Sequence, residues 1–154
     1  MTNSAKDRPR GRPRLLVIDA YNILYRAFHA LPHLTTPDGR PSHAAYGFAR
    51  IVGALLSDLR PDRVAVATDL PSDKPSYREE LLPEYKANRP PMPDDLRAQL
   101  PLVERIMNVL RLPVVGVEGF EADDVMGALA RMAEEAGYDV FLATGDHDAY
   151  QLVS

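Results

Sequence analysis

The sequence predicts an α/β fold in which helices cover both faces of a mostly parallel sheet. Four short apolar runs have the composition of strands that are buried on both faces. Helical patterns lie between these runs, and such alternation of strand and helix is typical of a parallel sheet. The chain has 154 residues, of which 45% are apolar, so it has the size and composition of one globular domain.

The predicted strands are residues 14–19, 64–69, 114–117 and 140–143. The first two have the same form, because each is an apolar run that ends in an acid, Asp19 or Asp69. The fourth leads directly into the sequence Thr-Gly-Asp, which ends at Asp146.

Three helices are predicted from apolar stripes and from end signals. Ser42 can cap the first of them. The second covers residues 94–111 and is expected to be kinked or broken near Pro101. The third runs from Glu121 to about Ala136, and Gly137 ends it as a C-cap. The apolar positions expected to face the core are Ala45, Phe48, Ala49, Val52, Leu55, Leu56, Leu59, Met107, Ala122, Val125, Met126, Leu129, Met132 and Ala133.

Composition limits the classes of function. The chain has no cysteine, so it has no thiol nucleophile, and a metal must be bound by oxygen atoms or by the four histidines. No apolar run approaches the roughly 18 residues of a membrane helix, so no membrane partner is expected. Residues 1–13 are basic and lack the apolar stretch of a signal peptide, which predicts a disordered tail on a cytoplasmic protein. The net charge of −4 disfavours a polyanionic partner, unless divalent cations are bound.

Acidic residues follow all four predicted strands. They are Asp19, Asp69, Glu121, Asp123, Asp124, Asp146 and Asp148. Because the carboxyl ends of parallel strands meet at one edge of a sheet, we expect these seven side chains to converge. Carboxylates crowded in this way repel one another unless cations neutralise them, and oxygen ligands select Mg²⁺ or Mn²⁺. Two such ions can clamp a phosphodiester.

Each acid also has a purely structural interpretation. An aspartate at the end of a strand is commonly a turn or capping residue. The acids at 121–124 would also favour the dipole of the helix that they begin. His147, between the last two acids, is either a ligand or a residue that faces solvent.

The segment 70–93 is rich in proline and in charged residues, and we expect it to leave the sheet as an exposed excursion. Within it, residues 74–89 mix basic side chains with tyrosines. This mixture suits a nucleic-acid strand, because cations meet phosphates while aromatic faces stack on bases. A solvated charged loop is the alternative.

Several motifs of this chain resemble those of a known family. The sequences LLVIDAYNILYRAFHALP, YGFARIV, VAVATD, SYREELLPEYKANRPPMP, GFEADDVMG and TGDHDAYQLVS occur in this order over residues 14–154. They resemble the N-terminal 5′–3′ exonuclease domain of bacterial DNA polymerase I and, more broadly, the structure-specific 5′ nucleases or flap endonucleases with a PIN-like fold.

The resemblance implies a site and a substrate. It implies two Mg²⁺ or Mn²⁺ ions on the seven acids, with Asp19 and Asp69 among the catalytic residues. It assigns Lys86 to charge stabilisation at the scissile phosphate, Tyr85 to stacking on the terminal nucleotide, and Arg78 and Arg89 to phosphate contacts. The implied substrate is DNA, or an RNA primer on DNA, with a 5′ end or flap. The implied setting is replication and repair near the nucleoid, beside a polymerase or a separate C-terminal nuclease module.

Three departures from the family pattern affect these expectations. Ala20 stands where relatives usually have glycine, and His147 replaces the usual lysine. The sequence ends at Ser154, before the helix–hairpin–helix DNA-binding module of relatives and two further metal-binding aspartates. We therefore expect residues 14–154 to be a truncated or split catalytic domain. The alternatives are a catalytically impaired nucleic-acid-binding remnant and, by fold analogy alone, a phosphoryl-transfer or receiver-type domain.

Overall fold

The structure is a computed structural model that describes residues 11–71, 74–86 and 88–145. Its strands are β1 (Arg14–Asp19), β2 (Arg63–Ala67), β3 (Val114–Val115) and β4 (Asp139–Ala143). Within the described ranges they form one sheet in the order β3-β2-β1-β4, and every pairing is parallel. The predicted parallel sheet is confirmed, although β3 is shorter than the predicted strand 114–117 and β2 ends at Ala67 instead of Asp69.

The helices are α1 (Ala20–Ala30), α2 (His43–Leu59), α3 (Tyr77–Leu81), α4 (Asp94–Arg97), α5 (Leu100–Val109) and α6 (Ala122–Glu135). The break predicted near Pro101 separates α4 from α5, and Pro101 lies in the first turn of α5, where a missing N–H is tolerated. The left-handed Gly137 (φ +87°) follows α6, as predicted.

Two apolar clusters show that helices cover both faces of the sheet. Successive side chains of β1 point to opposite faces. Ile18 therefore packs with Phe48 of α2 and Val103 of α5, whereas Val17 packs with Met126 of α6. The three-layer arrangement is confirmed.

Helix α1 was not predicted from the sequence. It begins immediately after β1, with no loop between the two elements, because the Asp19 carboxylate accepts a hydrogen bond from the Asn22 N–H and caps the helix. Its buried residues Ile23, Leu24 and Ala27 have the spacing of one helical face.

The predicted cap of α2 is wrong in its chemistry. Ser42 occupies the N-cap position, but its hydroxyl makes no capping hydrogen bond. The Oε1 atom of Gln99 accepts hydrogen bonds from the N–H groups of Ala44 and Ala45 instead, at 2.8 and 3.1 Å. The Gln99 side chain is buried and also donates from Nε2 to the Asp95 carbonyl. A residue from the α4–α5 break therefore caps α2.

Two further expectations change. Met126 is buried and Met107 packs against the core, but Met132 is 63% exposed, so its helical spacing does not place it in the core. The predicted tail makes contacts at its C-terminal end: Arg12 Nε donates to the Gly137 carbonyl and the Asp139 N–H donates to the Pro13 carbonyl. Residues 1–10 lie outside the described residues. No helix in the described part of the chain is both long and apolar enough to cross a membrane.

Candidate functional site

The carboxyl end of β1 carries a buried acid. Asp19 is only 6% exposed, and its carboxylate accepts hydrogen bonds from the Asn22 N–H at 3.1 Å and from the Thr144 hydroxyl at 3.2 Å. Burial raises the pKa of Asp19 above 3.8, because the ionised form loses hydration. The Asn22 and Thr144 hydrogen bonds oppose this shift, whereas the negative charges of Asp123 and Asp69 add to it.

The end of β2 is tied to the start of α6. Asp69 lies two residues beyond β2, and its Oδ1 atom accepts the Ala122 N–H at 2.7 Å. That N–H belongs to the first turn of α6 and has no partner within the helix. The contact therefore serves as a cap and brings Asp69 close to the acids that begin α6.

The acids that begin α6 face different ways. Asp123 is half-buried and lines a cleft of about 370 Å³ together with Asp19, Asp69 and Glu121. Asp124 does not line this cleft, and its Oδ2 accepts the Glu121 N–H at 3.1 Å. Four of the seven predicted ligands thus share one cleft, while Asp146, Asp148 and the neighbouring His147 lie outside the described residues.

Cations from the 74–89 segment neutralise part of this acidic surface. Lys86 Nζ lies 2.6 Å from Glu121 Oε1, and Arg78 lies 3.4 Å from Glu121 Oε2 and 2.9 Å from Asp124 Oδ1. The Tyr85 hydroxyl donates to Glu121 Oε2 at 3.3 Å. Glu121 is only 8% exposed, so these groups replace its lost hydration.

Lys86 and Arg89 line the cleft, whereas Arg78 and Tyr85 do not. The 74–89 segment is also more regular than predicted, because it contains the short helix α3, which Ser76 and Glu79 cap reciprocally.

Among residues 11–71, 74–86 and 88–145, no three carboxylates or histidines lie close enough to bind one metal ion. Two expected ligands are outside these ranges, and Asp124 points to Arg78 and the Glu121 N–H. The described acids therefore supply a partial oxygen-ligand set.

Sequence reasoning missed three residues of the cleft, namely Tyr21, Asn22 and Tyr25. All three lie on α1, and Asn22 Oδ1 also accepts the Gly145 N–H, which links α1 to the segment after β4. The signal that could have found them is the spacing from Asp19: once Asp19 is recognised as an N-cap, Asn22 and Tyr25 follow three and six residues later, on nearby turns.

Comparisons with known proteins identify the family of this chain. Residues 14–154 match the family model "5'-3' exonuclease, N-terminal resolvase-like domain". The chain belongs to this family. Over 140 residues it is 44% identical to DNA polymerase I of Caldicellulosiruptor bescii, an alignment that covers 91% of this chain and 16% of that protein. The chain thus spans about a sixth of the length of the curated relatives that it matches.

Solved structures share the fold. The T5 D15 protein co-crystallised with metal ions superposes with a TM-score of 0.67 at 20% identity, covering 92% of this chain and 52% of that one. The bacteriophage T5 D15 flap endonuclease, in a pseudo-enzyme–product complex with DNA and metal ions, gives a TM-score of 0.64 at 19% identity, with the same coverage. At this identity the likeness establishes the fold, which is the expected PIN-like α/β fold.

Proposed function

We propose that this chain is the catalytic domain of a divalent-metal-dependent 5′–3′ nuclease. Its substrate is DNA, or an RNA primer paired to DNA, with a free 5′ end or flap, and its setting is replication and repair. The observation that carries the proposal is the cleft that Asp19, Asp69, Glu121 and Asp123 line together with Lys86 and Arg89. In such a cleft, the carboxylate oxygens can bind a divalent metal ion, and the basic side chains can bind the phosphates of a nucleic acid.

The residues of the cleft fit a divalent ion. Its donors are carboxylate oxygens, which suit Mg²⁺ or Mn²⁺. Burial holds the pKa of Asp19 high and the charges of Asp123 and Asp69 raise it further, so a bound cation would relieve this unfavourable ionisation. The proposed ligands of two ions are Asp19, Asp69, Glu121, Asp123, Asp124, Asp146 and Asp148. When bound, the ions supply Lewis-acid polarisation of the phosphate and activation of water.

The remaining roles belong to side chains of the chain itself. Lys86 is only 19% exposed, so its ammonium group acts near a partly dehydrated surface, where a charge stabilises a phosphoryl transition state strongly. Arg89 lines the same cleft, and its planar guanidinium suits a phosphate oxygen pair. Tyr21 and Tyr25 of α1 also line this cleft and offer aromatic rings on which a base can stack.

One observation favours a second candidate, a nucleic-acid-binding domain that does not cleave. No three of the described carboxylates or histidines form a single-ion site. The two candidates share Lys86 and Arg89 as phosphate contacts and differ only in hydrolysis. The biological partners are the same for both, namely DNA with a polymerase or a separate C-terminal nuclease module.

The test is cleavage of a 5′-labelled flap substrate with Mg²⁺ or Mn²⁺ and with EDTA, using wild type, Lys86→Ala and Arg97→Ala. Arg97 is the matched control, because it pairs with the exposed Asp94 on α4. We expect EDTA to abolish cleavage and Lys86→Ala to lower the rate by about 10²–10³, the usual loss when a donor to a transition-state oxyanion is removed.

Lys86→Ala should keep the metal-induced rise in melting temperature, since Lys86 is not a ligand. An equal loss of metal response would place Lys86 in the support of the site. Binding of DNA without any cleavage by the wild type would favour the second candidate, and EDTA-resistant cleavage would contradict the metal-dependent mechanism.

A further inference from the structure

The Arg78 guanidinium contacts three other side chains, those of Tyr85, Glu121 and Asp124. Its Nη1 atom donates to the Tyr85 hydroxyl at 3.2 Å and lies 3.4 Å from Glu121 Oε2, and its Nη2 atom donates to Asp124 Oδ1 at 2.9 Å. Both terminal nitrogens of the guanidinium are therefore engaged by partly buried oxygen atoms.

A phosphate would have to compete with these partners. Glu121 and Asp124 carry the same charge sign as a phosphate, so a phosphate approaching Arg78 would meet two carboxylates already in place. Lys86 and Arg89 line the cleft, but Arg78 does not. The position of Arg78 thus favours an internal role.

The segment around Arg78 depends on polar contacts for its position. Helix α3 buries none of its residues. Besides the Arg78 contacts, the Tyr77 N–H donates to the Gly119 carbonyl at 2.9 Å and the Tyr77 ring stacks on Phe120. Arg78 and Tyr85 therefore join α3 and the turn that follows it to the first turn of α6.

Lys86 sits at the end of this arrangement in a strained conformation. Its φ is +63°, in the left-handed region that residues with a Cβ atom rarely adopt. Such a conformation persists only when surrounding contacts enforce it. The contacts around Lys86 include the adjacent Tyr85, which Arg78 and Glu121 hold, the Lys86–Glu121 ion pair, and the backbone hydrogen bond from the Arg89 N–H to the Lys86 carbonyl.

We propose that Arg78 is a positioning residue that holds Tyr85 and Glu121 so that Lys86 lies in the cleft, and that Arg78 does not contact the nucleic acid. This role replaces the phosphate contact that the family resemblance implies. It rests on the proposed function for its kinetic and DNA-binding consequences, but not for its melting consequences.

The first test is the salt dependence of DNA binding in Ca²⁺. The logarithm of the binding constant falls with the logarithm of salt concentration, with a slope of about 0.7 to 0.9 per phosphate contact. On a Lys86→Ala background, Arg89→Ala should therefore lower the slope by about one contact, whereas Arg78→Ala and the control Arg97→Ala should leave it unchanged. A slope for Arg78→Ala that falls as far as that for Arg89→Ala overturns the proposal.

The second test separates kcat from KM and uses a conservative variant. Arg78→Ala should lower kcat tenfold or more while KM changes less than threefold, because Arg89 keeps its phosphate contact and the displacement of Lys86 acts mainly on the transition state. Arg78→Lys should not restore kcat, since an ammonium group cannot bridge Tyr85, Glu121 and Asp124 at once. If Arg78→Lys has the kcat of the wild type, a positive charge at this position is sufficient for activity, and the proposed positioning role is wrong.

The third test needs neither DNA nor activity. The melting temperatures of Arg78→Ala, Tyr85→Phe and the double variant form a cycle, and Tyr85→Phe removes the hydroxyl while keeping the ring. If Arg78 and Tyr85 are in direct contact, both single variants lose the same interaction. The drop in melting temperature of the double variant should then be smaller than the sum of the two single drops. Additive shifts contradict the contact. If the wild type neither binds nor cleaves DNA, the proposed function fails, and this cycle still decides the role of Arg78.

Discussion

Replacement of Gln99 by methionine should test how α2 begins. The Gln99 side chain is 1% exposed, and its Oε1 atom accepts the N–H groups of Ala44 and Ala45, which have no partner within the helix. Both alanines are fully buried, so water cannot replace the lost acceptor. Methionine has nearly the same volume as glutamine, and the substitution therefore removes hydrogen bonds without opening a large cavity.

The magnitude follows from the number of groups left without partners. Each buried donor that loses its acceptor costs about 1–3 kcal/mol, so the two N–H groups together cost about 2–6 kcal/mol. The Asp95 carbonyl also loses its Gln99 donor. Allowing for local relaxation, we expect Gln99→Met to lower the free energy of unfolding by about 3 kcal/mol and the melting temperature by roughly 6–12 °C.

Urea denaturation followed by circular dichroism measures this loss, and Ser42→Ala is the control. A serine that caps a helix costs about 1 kcal/mol when replaced by alanine, but the Ser42 hydroxyl makes no capping bond. We expect Ser42→Ala to change stability by less than about 0.5 kcal/mol. The assignment of the cap to Gln99 is refuted if Gln99→Met costs less than about 1 kcal/mol, or if Ser42→Ala costs as much.

Three further predictions concern packing and charge. In thermal melting, Gly47→Ala should be less stable than Gly53→Ala by about 1–3 kcal/mol. A Cβ added at Gly47 lies 2.8 Å from the Ala27 Cβ, whereas one added at Gly53 meets no atom within 4 Å. Equal stabilities would exclude the close approach of α1 and α2. Asp19→Asn should raise the free energy of unfolding in EDTA at neutral pH. The raised folded-state pKa of Asp19 makes its ionisation unfavourable in the folded protein. The difference in free energy of unfolding between Asp19→Asn and the wild type should therefore shrink as the pH falls toward and below 3.8. A difference that does not depend on pH would contradict this reasoning. Millimolar Mn²⁺ should raise the wild-type melting temperature, and Asp123→Ala should remove most of that rise; a wild type that does not respond would rule out the cation site.

The strands and the edge at which the acids gather could be predicted from the sequence. The run 14–19 is apolar throughout because β1 is covered on both faces, and a local pattern of this kind needs no knowledge of the rest of the chain. The same holds for Asp19 and Asp69, since the acid at the end of a parallel strand necessarily lies at the carboxyl edge of the sheet. Most of the buried face of α6 followed in the same way from helical periodicity; the exceptions are Met132, which is exposed, and Ala130, which is buried but was not predicted to be.

The missed helix α1 has a local cause. Its first residue follows the last residue of β1 directly. The apolar pattern of the strand therefore runs into that of the helix, without the loop that usually separates a strand from a helix. Asp19 is both the acid at the end of β1 and the cap of α1. Without α1, the sequence does not indicate that Tyr21, Asn22 and Tyr25 line the cleft.

The sequence alone determined the fold class and the sheet edge at which Asp19 and Asp69 lie, because both depend on patterns that repeat within a few residues. Only the tertiary structure decided that Gln99 caps a helix 55 residues earlier and that Arg78 pairs with Asp124, which is 46 residues away. Such contacts depend on the paths of the segments between them, and a glutamine or an arginine has the same local pattern whether it reaches solvent, a backbone N–H or a carboxylate. Asp123 and Asp124 are neighbours in the sequence, yet one lines the cleft and the other binds Arg78, because consecutive side chains on a helix point about 100° apart.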